Sequence, residues 1–254
     1  MRQALMIAIF LLCQQSARAD ACSELNRRAA LKLAGSAAIG AIAVSRPLHA
    51  AAGPPERQKL LQLIEADADE NAILAAVAAL SPLDPSAGKA ATSEALDGEW
   101  ELLWSANAQA FSPLLGLPRP IRPQSIQLLG AAAAAQVGAG RVANVLRLPL
   151  GVSFVLSSDV GPLGASEPAT LEIAPPFRFE IGTPAGGRVR LVEAGSDAEF
   201  RALNARDAEA QAAPKNRYVQ DYLEVAGGRG DIRISRVASG DPVIVGSIFV
   251  HRRL

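Results

Sequence analysis

Short segments in which apolar and charged residues alternate fill the chain from residue 96 onwards. In the first of them, Trp100, Leu102 and Trp104 fall on one face, while Glu99 and Glu101 fall on the other. A period of two is that of a β-strand with one buried face. Gly and Pro separate these segments, so each is expected to form a short strand that ends in a turn.

Similar segments recur along the rest of the chain. They are Gln124–Leu129, Arg141–Leu148, Leu171–Ile173, Phe177–Ile181, Arg188–Val192, Tyr218–Val225, Asp231–Val237 and Val243–Val250. Roughly eight or nine short strands predict an antiparallel barrel or sandwich over about residues 96–254. A doubly wound α/β fold is not expected, because no long helices alternate with these strands.

A different periodicity precedes the strands. Apolar residues recur at helical spacing over residues 55–80, first as Leu60, Leu61 and Ile64 and then as Ile73, Leu74, Val77 and Leu80. This pattern predicts a helical hairpin, so the fold class is mainly β with N-terminal helices (α+β). Leu83–Ala95 is interpreted as a linker, Ala131–Ala135 as a loop insertion, and Glu193–Ala213 as the place of a short helix.

Residues 1–52 have the features of a targeting presequence with two signals. Residues 1–19 carry Arg2, an apolar run and a small-residue cleavage site, which is typical of a signal peptide. Residues 26–52 begin with Arg27-Arg28 and continue as a twin-arginine signal. The alternative to two signals is one amphipathic Ala-rich helix. A bacterial-type export signal or an imperfect gene model is also open, because the short spacer between the signals carries Asp20 and Glu24.

The composition of the predicted mature chain, 53–254, excludes several classes of site. Cys13 and Cys22 both lie in the presequence, as does His49, so His251 is the single histidine or cysteine that remains. Disulfides, metal clusters and thiolate catalysis are therefore not expected. Residues 1–50 hold six of the 25 basic and two of the 25 acidic residues, which leaves the remainder with four more acids than bases. Nucleic-acid binding is not expected of such a chain.

Several motifs occur in an order that resembles one known family. They are the segment Leu96–Ser105 with Gly98-Glu99-Trp100, then Pro123–Gln127, Val142–Val145 with Asn144, Tyr222-Leu223-Glu224, Asp231–Arg236 and Gly246–Val250. Over about residues 55–254 the chain is similar to the plastid lipid-associated protein (PAP/fibrillin) family. It departs from the family pattern at Glu224, where Asp is usual, and at Ala226–Arg229, which look inserted.

The resemblance implies a lipocalin-like barrel that binds or organises lipids, isoprenoids or pigments at thylakoids or plastid lipid droplets. It implies no enzymatic activity and no cofactor, and a location in the plastid, in the thylakoid lumen or on the thylakoid. The expected partner is a hydrophobic small molecule or lipid, with a peripheral place on a thylakoid or lipid-droplet surface. A transmembrane span is not expected in residues 53–254.

Two groups of residues are candidates for the site. The family motif contributes Gly98, Trp100, Asn144, Tyr222, Asp231, Arg233 and Arg236, in which Arg233 or Arg236 is expected to stack on Trp100 and Asp231 to pair with Arg233. The cavity wall is predicted from alternating apolar residues, each of which would also form plain core, since barrels of eight strands are often filled by their own side chains: Trp100, Leu102, Trp104, Phe177, Phe179, Val189, Leu191 and Phe249.

Two other classes of function remain open at this point. A barrel filled by its own side chains would be a structural or interaction module with no ligand. An enzyme acting on a lipid or pigment would need a cluster of polar groups that converge inside the barrel. An apolar cavity therefore distinguishes the carrier from the module, and a catalytic cluster would favour the enzyme.

Overall fold

The computed structural model describes residues 53–106, 113–117, 122–148, 151–183, 187–194 and 215–254. The predicted presequence 1–52 and most of the predicted helix within 193–213 lie outside these residues. The chain divides into two compact units. The described part of one unit is a single 3₁₀ turn, Pro113–Gly116, followed by Leu117 and Arg122, whose Nε donates to the Leu117 carbonyl at 2.8 Å.

The second unit contains every other described element. Its described α-helices are α1 (Pro55–Glu65), α2 (Glu70–Leu80) and α3 (Gly130–Val137). Its described strands are β1 (Gly98–Ser105), β2 (Gln124–Leu129), β3 (Arg141–Arg147), β4 (Ser153–Pro162), β5 (Thr170–Gly182), β6 (Arg188–Ala194), β7 (Asn216–Leu223), β8 (Ile232–Ser239) and β9 (Ile248–Arg253).

The strands form a closed antiparallel barrel, as the alternating pattern predicts. Their order is β4-β3-β2-β1-β9-β8-β7-β5, and pairing of β4 with β5 closes the circle of eight described strands. The long strand β5 pairs with β7 through Thr170–Ile173 and with β6 through Phe177–Gly182. Strand β6 thus extends one wall of the barrel beyond the end of β7.

The element boundaries differ from the predictions in four places. Strand β4 was missed, because its second half reads Ser-Ser-Asp-Val-Gly-Pro and its register with β5 shifts between Ser157 and Asp159. Residues 170–182 form one strand rather than two, since the single strand β4 pairs with both predicted segments. The last strand begins at Ile248, after a turn over residues 242–246, and the Ala-rich stretch 130–137 is a helix.

Helices α1 and α2 lie on the outer face of the barrel. They bury an apolar cluster in which Leu60, Ile73 and Leu80 meet Ile234 and Val250 of strands β8 and β9. On the other side, Ala133 of α3 packs against the same outer face of β2, β3 and β4. Side chains that alternate with these residues along the strands therefore point into the lumen.

A buried ion pair joins α1 to the hairpin between β7 and β8. Arg57 donates from Nε to Glu224 Oε1 at 2.6 Å and from Nη2 to the Gly230 carbonyl at 2.7 Å. The second carboxylate oxygen of Glu224 accepts the backbone N–H of Ile232 at 2.8 Å, and the Tyr222 hydroxyl donates to the first at 3.2 Å. Tyr222 therefore belongs to this outer contact, and not to the lumen.

Truncation of a fully buried residue of α1 tests whether this helix is part of the barrel's core. We expect Leu60→Ala to lower the free energy of unfolding by about 2–5 kcal/mol, because it leaves a cavity under the helix. The exposed neighbour variant Gln62→Ala should change it by less than about 0.5 kcal/mol. Equal effects of the two variants in urea denaturation would show that α1 does not share the barrel's core.

Candidate binding site in the barrel lumen

One end of the barrel is closed by the segment that the sequence analysis interprets as a linker. Ala90, Ala91 and Leu96 are buried there against Trp100 and Leu223 at the ends of β1 and β7. Backbone contacts hold the segment in place: Ala91 N donates to the Pro168 carbonyl at 3.0 Å, and Asp84 accepts the N–H of Leu223 at 3.0 Å. We call this closed end the floor.

Trp100 is the centre of the floor and is fully buried. Its indole N–H donates to the Leu96 carbonyl at 2.8 Å, and the Arg253 guanidinium lies 4.3 Å from the ring centroid. The same guanidinium donates to the carbonyls of Ala95 and Asp97. Arg253, which the sequence analysis missed, therefore fixes both the indole and the segment that crosses the floor.

The predicted stacking partner Arg233 also contacts Trp100, at 5.2 Å from the ring centroid, whereas Arg236 does not. Arg236 faces outward and binds Asp221 through two hydrogen bonds of 3.2 Å. The choice between Arg233 and Arg236 is therefore resolved in favour of Arg233.

Gly98 is required by the close approach of Arg253. Its φ of +136° is strained for any other residue, and a Cβ there would lie 2.5 Å from Arg253 Nη1. The Gly-x-Trp motif thus places a residue without a side chain where a guanidinium must reach over the tryptophan.

A polar track leads from the floor into the lumen. Arg233, 1% exposed, donates from Nη2 to Gln127 Oε1 at 2.5 Å and lies 3.2 Å from His251 Nδ1. Gln127 in turn donates to Asn144 Oδ1 at 3.0 Å, and Asn144 is exposed although it lies on the lumen face. The track therefore connects a buried cation to solvent through two amide side chains.

The prediction of an ion pair between Asp231 and Arg233 is wrong. Asp231 lies 3.9 Å from Arg253 Nε and accepts the N–H of Gly228 at 3.0 Å, which closes the turn before β8. A residue and its neighbour two positions along often share a strand face, but Asp231 precedes the first residue of β8, so the alternation does not apply to it.

Burial sets the protonation of the polar track. Desolvation, reinforced by the charge of Arg253, lowers the pKa of Arg233 to about 9, so its guanidinium stays charged at neutral pH. Desolvation and the nearby Arg233 lower the pKa of His251 well below its usual value. Because arginine has no acceptor, the neutral imidazole must accept at Nδ1 and carry its proton on Nε2.

Apolar side chains form the lumen wall above the track. Of the predicted wall residues, Leu102, Phe177, Phe179 and Phe249 lie on the lumen face. The prediction missed strand β4 and with it two wall residues, Phe154, which stacks on Phe179 at 6.0 Å, and Leu156, which lies opposite Asn144. Ile181 belongs to the predicted strand and completes the wall beside Phe154.

Two predicted wall residues, Trp104 and Leu191, lie elsewhere, because register shifts interrupt the alternation. The shift between Leu102 and Trp104 turns Trp104 to the outer face, where it packs against the helices. A shift in β6 places Val192, and not Leu191, opposite Phe179. Val189 lies opposite Ile181 and therefore shares the face of the lumen wall, but it is 55% exposed because β6 lies outside the closed circle of eight strands.

Several apolar side chains on the lumen face remain in contact with solvent. Leu102, Phe154, Leu156 and Ile181 all remain partly exposed although they face the inside of a closed barrel. In a barrel filled by its own side chains these positions would be buried.

A separate cleft of about 450 Å³ lies at the rim of the floor, between the crossing segment and the ends of β3, β4 and β5. Arg141 lines it, but its guanidinium is used by Asp159 at 2.6 Å and by the Pro176 carbonyl at 2.8 Å. The rest of its lining includes the carboxylates Glu94 and Asp97 beside apolar and small side chains, and we regard the lumen as the better candidate site for a hydrophobic molecule.

In the described ranges, no group of three histidine, cysteine, aspartate or glutamate side chains is placed to hold a metal ion. None of the helices in this part of the chain has the length and hydropathy needed to cross a membrane. Comparison of the chain with protein-family models, curated proteins and solved structures gives no match.

Substitution of Gly98 tests the close approach at the floor. We expect Gly98→Ala to destabilise the protein by about 2 kcal/mol or more, because backbone strain adds to displacement of Arg253. Gly164→Ala is the control, since its φ of +97° is also well beyond the αL region but nothing lies within 4 Å of a Cβ placed there, so this variant measures backbone strain without a displaced side chain. Equal losses in thermal unfolding would contradict the role of the close approach.

His251 makes stability dependent on pH in a defined direction. The unfolded chain protonates this residue below about pH 6.5, whereas the folded chain keeps it neutral, so acid favours unfolding. The free energy of unfolding should fall between about pH 6.5 and 5 with a slope of up to about 1.4 kcal/mol per pH unit.

The variant His251→Gln removes the proton-binding group and should reduce this slope, while His49→Gln, in the predicted presequence, should leave it unchanged. Denaturant titrations at several pH values measure both. A slope that is the same in all three proteins would show that His251 is protonated in the folded state as easily as in the unfolded chain.

Proposed function

We propose that the barrel binds a hydrophobic small molecule in its lumen and acts as a carrier or organiser, and not as an enzyme. The observation that carries the proposal is the set of apolar side chains that face the lumen of a closed barrel and are still partly exposed. Barrels of about eight strands can hold one small ligand, and partly exposed apolar walls gain free energy when such a ligand covers them.

The finer assignment, a lipocalin-like barrel of the plastid lipid-associated type, rests on the Gly-x-Trp segment and on the two predicted targeting signals. Support for it comes from Gly98, Trp100 and Arg253, which together close one end of the barrel. On this proposal the ligand is a lipid, isoprenoid or pigment, and the protein works at thylakoids or plastid lipid droplets.

The polar groups in the lumen are better suited to binding than to catalysis. A histidine that acts as a general base is usually oriented by a carboxylate, which raises its pKa. The recorded hydrogen-bond partner of His251 in the described structure is Arg233, which lowers that pKa instead. The cluster thus presents a cation and amides, but lacks the base that an acyl or proton transfer would need.

Native mass spectrometry after incubation with a total thylakoid lipid and pigment extract tests the proposal. We expect a discrete added mass on the folded protein. Leu156→Trp should reduce its occupancy about tenfold or more, because the larger side chain fills the lumen without adding charge. Val243→Trp, on an exposed turn, is the control and should retain the bound mass.

Protein that stays folded and bare under these conditions would contradict the carrier function. The barrel would then be a structural module whose function lies on its outer surface. Bound mass that is unaffected by Leu156→Trp would place the ligand outside the lumen.

A further inference from the structure

We propose that the ligand is an amphipathic monocarboxylate, whose carboxylate pairs with Arg233 on the lumen floor while its apolar tail extends along the lumen wall. This inference rests on the proposed function, since it specifies the chemistry of the molecule that the lumen takes. Its basis is a buried charge that no carboxylate of the described residues compensates.

The charges near the floor do not balance. Arg253 lies 3.9 Å from Asp231, so a carboxylate compensates it. Arg233 has no carboxylate within ion-pair distance anywhere in the described structure, and it is 1% exposed. A buried ion without a partner is strongly unfavourable, whereas a paired and hydrogen-bonded one is tolerated. An anion that enters the lumen would therefore find one uncompensated positive charge.

The hydrogen bonds of Arg233 are also incomplete. A guanidinium carries five N–H donors. The contacts recorded for Arg233 are those of Nη2 to Gln127 and His251, and its Nε has no partner. Neither partner carries a negative charge, because the amide and the imidazole are both neutral. A carboxylate would supply the missing charge and two acceptor oxygens in the planar geometry that arginine binds best.

The side-chain oxygen of Gln127 lies where the oxygen of a carboxylate bound to Arg233 would lie. Its Oε1 accepts from Arg233 while its Nε2 donates to Asn144, so this amide lies between the buried guanidinium and the exposed part of the lumen. When the amide turns toward Asn144, a carboxylate can replace its oxygen at Arg233. The displaced amide then keeps a polar partner, which limits the cost of the exchange.

The apolar wall begins directly beside this polar track. Leu102 lies opposite His251 in the sheet, and Leu156 lies opposite Asn144. Beyond them, Phe154 and Phe179 stack on each other. A molecule with its head at Arg233 therefore has its first apolar segment against the leucines and the next against the phenylalanines. This order of polar and apolar surface matches an acid with a hydrocarbon tail.

Isothermal titration with palmitic acid and with its methyl ester, below their aggregation concentrations, tests the inference. The two probes share a tail and differ in charge. We expect the acid to bind with a Kd about tenfold or more below that of the ester. In Arg233→Met the preference for the acid should disappear, while binding of the ester is retained. Arg236→Met, which removes an outward-facing arginine of the same strand, should keep the preference.

A second variant keeps the test decisive if Arg233→Met fails to fold. Gln127→Glu places a carboxylate of the protein itself beside Arg233. We expect this variant to be more stable than the wild type in urea and to lose the preference for the acid, because its own carboxylate occupies the guanidinium.

The possible outcomes separate this inference from the proposed function. Acid and ester bound equally well by the wild type would overturn the role of Arg233 and leave the carrier function standing. Binding of neither palmitate probe would overturn this inference, while the bound mass from the lipid extract decides the carrier function. Hexadecyl phosphate bound about tenfold more tightly than palmitate would overturn the assignment to a carboxylate, and weaker or equal binding would support it.

Discussion

The contact between Arg253 and Trp100 is the interaction on which the barrel depends. A guanidinium over an indole contributes about 0.5–2 kcal/mol, which alone would not determine a fold. Here the same guanidinium also donates to two carbonyls of the segment that crosses the floor. One side chain therefore joins the last described strand, the first strand and the segment between helix and sheet. Gly98 leaves room for this guanidinium because it carries no side chain.

Arg233 differs from Arg253 in how its charge is compensated. Asp231 lies within ion-pair distance of Arg253, whereas no carboxylate of the described residues pairs with Arg233. A leucine or methionine at position 233 would avoid the desolvation of a charge. Conflicts of this kind between a residue and its environment mark functional sites more often than structural ones. The inside of the barrel thus combines an apolar wall, which favours many ligands, with one cation, which favours few.

Alternation of apolar and polar residues was sufficient to predict an antiparallel β fold and most of its strands, because one covered face imposes that pattern. It was insufficient wherever a bulge shifts the register, which is why Trp104 was placed inside the barrel and Leu191 was preferred to Val192. Strand β4 has no clear alternation and was missed together with Leu156. Arg253 could not be identified, since the two carbonyls to which it donates lie 156 and 158 positions away in sequence and no local signal marks them. Among the motif residues, Gly98, Trp100, Asn144 and Arg233 do lie on or beside the floor and its polar track.

The position of β9 between β1 and β8 has a consequence for how the protein is made. Because β9 is the last described strand, the ribosome releases β1 long before it releases the partner of β1. Synthesis at about 5–20 residues per second separates the two by on the order of ten seconds. Any sheet that forms during that interval has two unpaired edges, and such edges readily pair with other chains. The circle of strands can close only after translation has passed Arg253.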